Sequence, residues 1–111
     1  MIEKINLSKD CVTGGEVRKV VLPVSGEIQE LRVDPHTAIK LHGHNNQWEV
    51  WLWNNKAYVC LKGEEHQLIN ESEETAYVRG IKGKEDYLYD DLDEFFHMLG
   101  YAVYHDSLII K

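Results

Sequence analysis

Residues Trp48–Leu61, WEVWLWNNKAYVCL, decide the fold. Two short apolar segments flank Asn54-Asn55, and asparagine tolerates the positive φ that a tight hairpin turn requires. VWLW and AYVCL are apolar on both of the alternating faces that a strand presents, so a single buried face cannot account for them. A strand inside a closed or two-layered β structure would. The same rhythm of short apolar runs broken by Gly, Asn or Pro extends outward from Glu16 to Glu85. It predicts strands at Arg18–Pro23, Ile28–Val33, Ala38–His44, Trp48–Trp53, Ala57–Lys62, His66–Ile69, Thr75–Gly80 and Asp86–Tyr89. Turns are expected at Ser25-Gly26, Asn45-Asn46, Asn54-Asn55, Lys62-Gly63 and Lys82-Gly83.

After Tyr89 the period changes. Asp90-Asp91 suit the amino end of a helix, Leu92, Phe95, Phe96 and Leu99 share a side at helical spacing, and Gly100 marks its stop. The tail YAVYHDSLIIK reads again as strand, expected to cover a sheet edge or to pair with a second subunit. The expectation is one all-β domain over residues 1–111, a small antiparallel barrel with one short C-terminal helix.

The 111 residues carry 12 Lys and Arg against 19 Asp and Glu, a formal charge of −7. A chain of this size buries roughly two thirds of its unfolded surface, enough for one core without staples. The acidic balance argues against nucleic-acid and anionic-membrane partners, which reward clustered basic residues. Cys11 and Cys60 are too few for a disulfide framework and form no CxxC, which fits a reducing cytoplasm. The first ten residues are broken by Glu3 and Lys4, and no run of 18 apolar residues occurs. The Asn70-Glu71-Ser72 triplet matches a glycosylation sequon, which carries no meaning in a cytoplasmic protein.

Chemistry concentrates at His42-Gly43-His44. Residues i and i+2 of a strand share a face, so both imidazoles project together. Asn45-Asn46-Gln47 then reverses the chain, and Glu49 on the next strand can turn its carboxylate toward the pair. Two imidazoles and a carboxylate form three sides of a site for a divalent transition metal, Fe, Mn, Co, Ni or Zn, with positions open for water or ligand. By alternation Trp51 and Trp53 share a face with Glu49, which makes them candidates for stacking on a ring ligand. Cys60 reads as a buried small hydrophobe.

HGHNNQWE (residues 42–49) resembles the HxHxxxxE core of the first cupin motif, and the strand rhythm over residues 16–90 is similar to that of a cupin jelly roll. His36 and Lys56 stand where the motif has glycines. The resemblance implies a further metal ligand from a second motif, PxGxxHxxxN, for which two registers compete. The early one runs Leu61, Gly63, His66, Asn70 and lacks the Pro, but it leaves no room for the middle hairpin of the barrel. The late one runs Ile81, Gly83, Asp86, Asp90 and preserves eight strands, with KAYVCLKGEEHQL as the middle hairpin and His66 facing solvent. Strand count favours the late register, and the fourth ligand stays open between His66 and Asp86. Asp86 and Tyr87, with His66, are the candidate proton shuttles. The resemblance implies isomerase, epimerase or dioxygenase chemistry on a sugar or keto acid. The alternative is a module that binds a small ligand without turnover, with or without metal. A homodimer is the expected assembly, since cupins pair through sheet edges.

Overall fold

Asn54 and Asn55 both adopt left-handed backbone, with φ of 50° and 62°. They form the two-residue turn between β5 (Trp48–Trp53) and β6 (Lys56–Cys60), whose Trp53 and Lys56 close the hairpin. In this computed structural model, which describes residues 3–6, 19–21 and 27–111, that hairpin lies inside a five-stranded sheet. Its order is β3 (Glu27–Val33), β8 (Ala76–Gly83), β5, β6 and β9 (Ala102–Tyr104). A three-stranded sheet faces it, in the order β10 (Leu108–Ile110), β7 (Glu65–Asn70), β4 (Thr37–Gly43). β1 (Glu3–Asn6) and β2 (Lys19–Val21) form a separate antiparallel ribbon. The expected turn at Ser25-Gly26 and Cys11 lie outside the described residues.

The five-stranded sheet is covered on both sides, which is why its central strands are apolar on both faces. On one side Trp48, Val50, Leu52, Ala57, Val59 and Ile81 pack under Leu92 and Phe96 of helix α1 (Tyr89–Met98). On the other, Trp51, Val33, Ala76 and Val78 pack against Leu68, Leu108 and Ile110 of the three-stranded sheet. Each Val, Leu, Ile or Phe among them, taken fully from water, contributes roughly 1.5–3 kcal/mol. Two cores therefore share one sheet.

The helix is bounded as the sequence specifies. The Asp91 carboxylate accepts the backbone N–H of Leu88, and Asp90 and Asp91 lie in the first turn, where negative charge opposes the helix dipole. At the other end Gly100, at φ 91°, donates to the His97 carbonyl and Tyr101 donates to that of Phe96, a Schellman closure.

Four expectations are corrected. Asp86–Tyr89 is no strand: β8 runs on through Lys82-Gly83, and the chain then leaves the sheet for α1. KAYVCLKGEEHQL is no hairpin, because β6 pairs with β5 and β9 while β7 pairs with β4 and β10, and residues 61–64 cross between the sheets. The tail forms strand and covers edges of its own chain, one of its two expected roles, but β9 lies parallel to β6 and β10 parallel to β7, so the sheets are mixed and not all antiparallel. No closed barrel is found among the described residues. Two facing sheets and a helix hold the cores instead.

Successive strands alternate between layers: β3 in the larger sheet, β4 in the smaller, β5 and β6 in the larger, β7 in the smaller, β8 in the larger. Asn70, fully buried, ties two of these crossings together. Its Nδ2 donates to the carbonyls of Val33, Asp34 and Glu74 at 3.0, 3.3 and 2.8 Å, and its Oδ1 accepts from the Ser72 N–H and hydroxyl. A glycan cannot reach it. Among the described residues no helix is long and apolar enough to cross a membrane.

Candidate metal centre

β4 and β5 belong to different sheets, so residues 44–47 carry the chain across the gap rather than around a hairpin. This crossing sets Glu49, on the inner face of the five-stranded sheet, opposite the histidines of the three-stranded one. His42 and His44 project together, their rings 5.3 Å apart. Gly43 between them is required by a close approach: a Cβ there would stand 2.2 Å from the backbone oxygen of Glu64. The crossing segment is held against the site by the Gly63 N–H, which donates to the His44 carbonyl at 2.9 Å. Glu64 in turn accepts the Leu61 N–H and, on both carboxylate oxygens, the Tyr89 hydroxyl.

Ligand atoms of His42, His44 and Glu49 all lie within 4.8 Å of one another. His42 Nδ1 is 2.7 Å from the Lys40 carbonyl oxygen, which can only accept, so in the neutral ring Nδ1 carries the proton and Nε2 the lone pair. That Nε2 lies 3.9 Å from Glu49 Oε1. His66, directly across from His42 in the β4–β7 register, brings its Nε2 to 2.8 Å from the same oxygen. The contact is at ion-pair distance but off the line of an N–H donor, so both atoms, like His44 Nε2, have no aligned hydrogen bond among the described residues. Lys82, directly across from Glu49 on β8, places Nζ 3.7 Å from Oε2.

Burial is the strongest single influence on the Glu49 carboxyl and pushes it up, but His66, Lys82 and His44 together outweigh it and hold the carboxyl below its ordinary value. Burial pushes the His44 imidazole below its usual range; Glu49 opposes this, while Lys82, His42 and His66 reinforce it. Both shifts favour an ionised carboxylate beside a neutral imidazole. Those are the states that bind metals.

Two imidazoles and a carboxylate suit a divalent transition ion. Bonds of 2.0–2.2 Å set donor atoms about 3–4 Å apart, against 4.8 Å at the widest here. The difference of about 1 Å is within reach of side-chain rotation. The buried, unaligned Glu49 Oε1 and His44 Nε2 are the atoms an ion would engage.

Other expected residues lie elsewhere. Asp86 is exposed, its side chain 94% accessible, and pairs with Lys62 at 2.6 Å; its carboxyl is held low by that hydrogen bond. Tyr87 packs near Trp48 on the helix side of the sheet, the face opposite Glu49. Both were expected near the site because the late register made residues 86–89 a barrel strand. His66, expected at the surface in that register, is buried. Trp51 shares the face of Glu49 as alternation requires, yet its ring stacks on His66 at 3.7 Å and 7°, so that face is taken by the protein itself. Trp53 packs into the core between the sheets. Cys60 is buried, and burial pushes its thiol up to about 11, with Glu64 and Glu49 adding to the effect. Lys82 was missed. Its signal was alternation along β8, which sets it on the face of Val78 and Gly80, but its partner depends on the β5–β8 register.

No protein-family model matches the chain, and comparisons with curated proteins and with solved structures find no match.

Proposed function

We propose that this is a small metal-binding protein of the cupin type, in which His42, His44 and Glu49, with His66 beside them, hold one divalent transition ion next to which a small polar molecule binds. The observation that carries the reading is the convergence of two imidazoles and a buried carboxylate from facing sheets. The imidazoles and the ammonium keep that buried carboxylate ionised, and shifted titratable groups gathered in one place mark functional sites.

Support for the cupin part comes from strand order. β3, β8, β5 and β6 in one layer, with β4 and β7 facing them, is the arrangement a jelly roll would keep if its middle hairpin were absent. The early register of the second motif, Leu61, Gly63, His66 and Asn70, demands that absence. β9 and β10 lie along β6 and β7, edges that such a loss would expose.

A bound ion supplies Lewis acidity to a ligand oxygen. The chain's residues do the rest. The Lys40 carbonyl fixes the tautomer of His42, Trp51 fixes the plane of His66, and the crossing at residues 61–64 braces His44. With Asp86 and Tyr87 remote, His66 and Lys82 are the groups beside the ligand set able to hold or move a proton. That arrangement serves an isomerase, epimerase or dioxygenase, and equally a module that binds without turnover.

Elemental analysis after incubation with each candidate ion and desalting provides the test. About one equivalent in the parent and none in the His42→Ala/His44→Ala variant is expected. His66→Ala should weaken binding at least as much as the 10–100-fold typical of groups that orient ligands, and Asp86→Ala should not weaken it. A parent that retains no ion refutes the reading. Turnover on a panel of sugar phosphates and keto acids separates catalyst from binder.

A further inference from the structure

We propose that the small molecule taken by this site is an anion bearing a carboxylate, recognised by the Lys82 ammonium and the indole N–H of Trp51 beside Glu49; the inference rests on the metal-site reading above.

Three observations point there. First, the groups left around an occupied site are donors. Lys82 offers an ammonium and Trp51 an indole N–H, while the Glu49 carboxylate and the free ring nitrogens of His42 and His44 are the lone pairs an ion would claim. A sugar hydroxyl both donates and accepts; a carboxylate only accepts, and so matches a donor-lined site. Second, Trp51 is 1% exposed and its Nε1 has no hydrogen-bond partner among the described residues. Its ring face is held by His66, so recognition by stacking is blocked and the N–H edge is what remains. A buried N–H calls for an acceptor. Third, β8 carries Gly80 on the same face as Lys82, and Gly80 leaves the spot between them without a side chain. A Cβ there would lie 3.4 Å from Glu49 Oε2 and 3.8 Å from Trp51 Nε1, in ordinary contact with both.

Charge points the same way. At 3.7 Å the Lys82–Glu49 pair is loose and Lys82 stays partly accessible. A dication drawn to Glu49 would leave an excess of positive charge over negative within a few ångströms, and an anionic ligand relieves it.

The experiment uses Co(II)-loaded protein and follows its visible absorption during titration with pyruvate, with neutral pyruvamide as the shape-matched control and inorganic phosphate as the competing oxyanion. Pyruvate should bind at least tenfold more tightly than pyruvamide. The preference should fall below threefold in Lys82→Met and return in Lys82→Arg, while Co(II) affinity does not fall. Trp51→Phe keeps the ring against His66 and removes only the N–H; it should weaken pyruvate threefold or more and leave pyruvamide within twofold. Equal binding of acid and amide, an undiminished preference in Lys82→Met, or tighter binding of phosphate than of pyruvate overturns this inference and leaves the metal site standing. A parent that takes up no Co(II) overturns both.

Discussion

Replacing Asn70 by aspartate exchanges one NH2 for one oxygen, so no cavity opens and the outcome reports hydrogen bonding alone. The amide nitrogen has two hydrogens and three carbonyl neighbours, at 2.8, 3.0 and 3.3 Å. The two shorter contacts, to Glu74 and Val33, are full bonds, and Asp34 shares a proton with one of them. An ionised carboxylate loses both bonds, about 1 kcal/mol each, and turns a negative oxygen toward three carbonyl oxygens in a site with no exposure to water. Asn70→Asp should therefore destabilise the protein by about 3–5 kcal/mol at pH 7. In acid the introduced carboxyl is protonated and recovers one donor, so the deficit should shrink to about 1–2 kcal/mol. The sign is that of a raised carboxyl: the folded variant binds the proton more tightly than the unfolded chain. Its lost stability is recovered below the ordinary aspartate value of about 3.9 and disappears again as pH rises through the folded value. Urea unfolding of parent and variant at pH 7 and pH 3.5, followed by tryptophan fluorescence, measures the difference. A deficit below about 1 kcal/mol at pH 7, or one that does not narrow in acid, would refute the account of Asn70 as a donor clamping two sheet crossings.

Other outcomes follow from the same structure. Gly43→Ala puts a methyl 2.2 Å from the Glu64 oxygen, so the crossing at residues 61–64 must move by about 1 Å; overpacking of this kind costs about 1–3 kcal/mol. Its melting temperature should drop by roughly 4–8 °C per kcal/mol and metal affinity should fall with it, whereas unchanged values would show the contact to be soft. The metal-free protein should lose stability on acidification in two stages. His44, lowered in the fold, stabilises above its ordinary 6.5 and gives up that contribution as pH falls through its folded value; Glu49, also lowered, does the same below its ordinary 4.5. Melting curves from pH 7.5 to 3.5 should slope less in the His44→Ala/Glu49→Gln variant, and equal slopes would assign acid lability to other groups. Cys60 should resist a thiol reagent at pH 8 in the native protein and react at once in urea. Because its thiol is raised to about 11 from 9.0, the stability it contributes is present below pH 9 and lost as pH rises toward 11. Native-state labelling as fast as in urea counts against its burial.

Features that depend on a few neighbouring residues were legible from the chain alone. The Asn54-Asn55 turn, the two-faced apolar strands around it, the helix from Tyr89 to its glycine stop and the common face of His42 and His44 follow from backbone preferences and from side-chain periods of 2 and 3.6. The site was legible that far, since HxH and a nearby glutamate are read within eight residues. Which edges meet depended on packing between distant segments. Whether His66 or Asp86 accompanies Glu49 turned on whether residues 57–69 fold back as a hairpin or cross between sheets, and both choices satisfy the same local pattern. The covering of two cores selected the crossing, because β9 and β10 then line edges that a hairpin would have occupied. Lys82 opposite Glu49, the backbone pressed against Gly43 and the burial of Asn70 are likewise consequences of pairing between distant segments. Alternation along a strand fixes the face on which a side chain lies; only the assembled layers fix what stands opposite it.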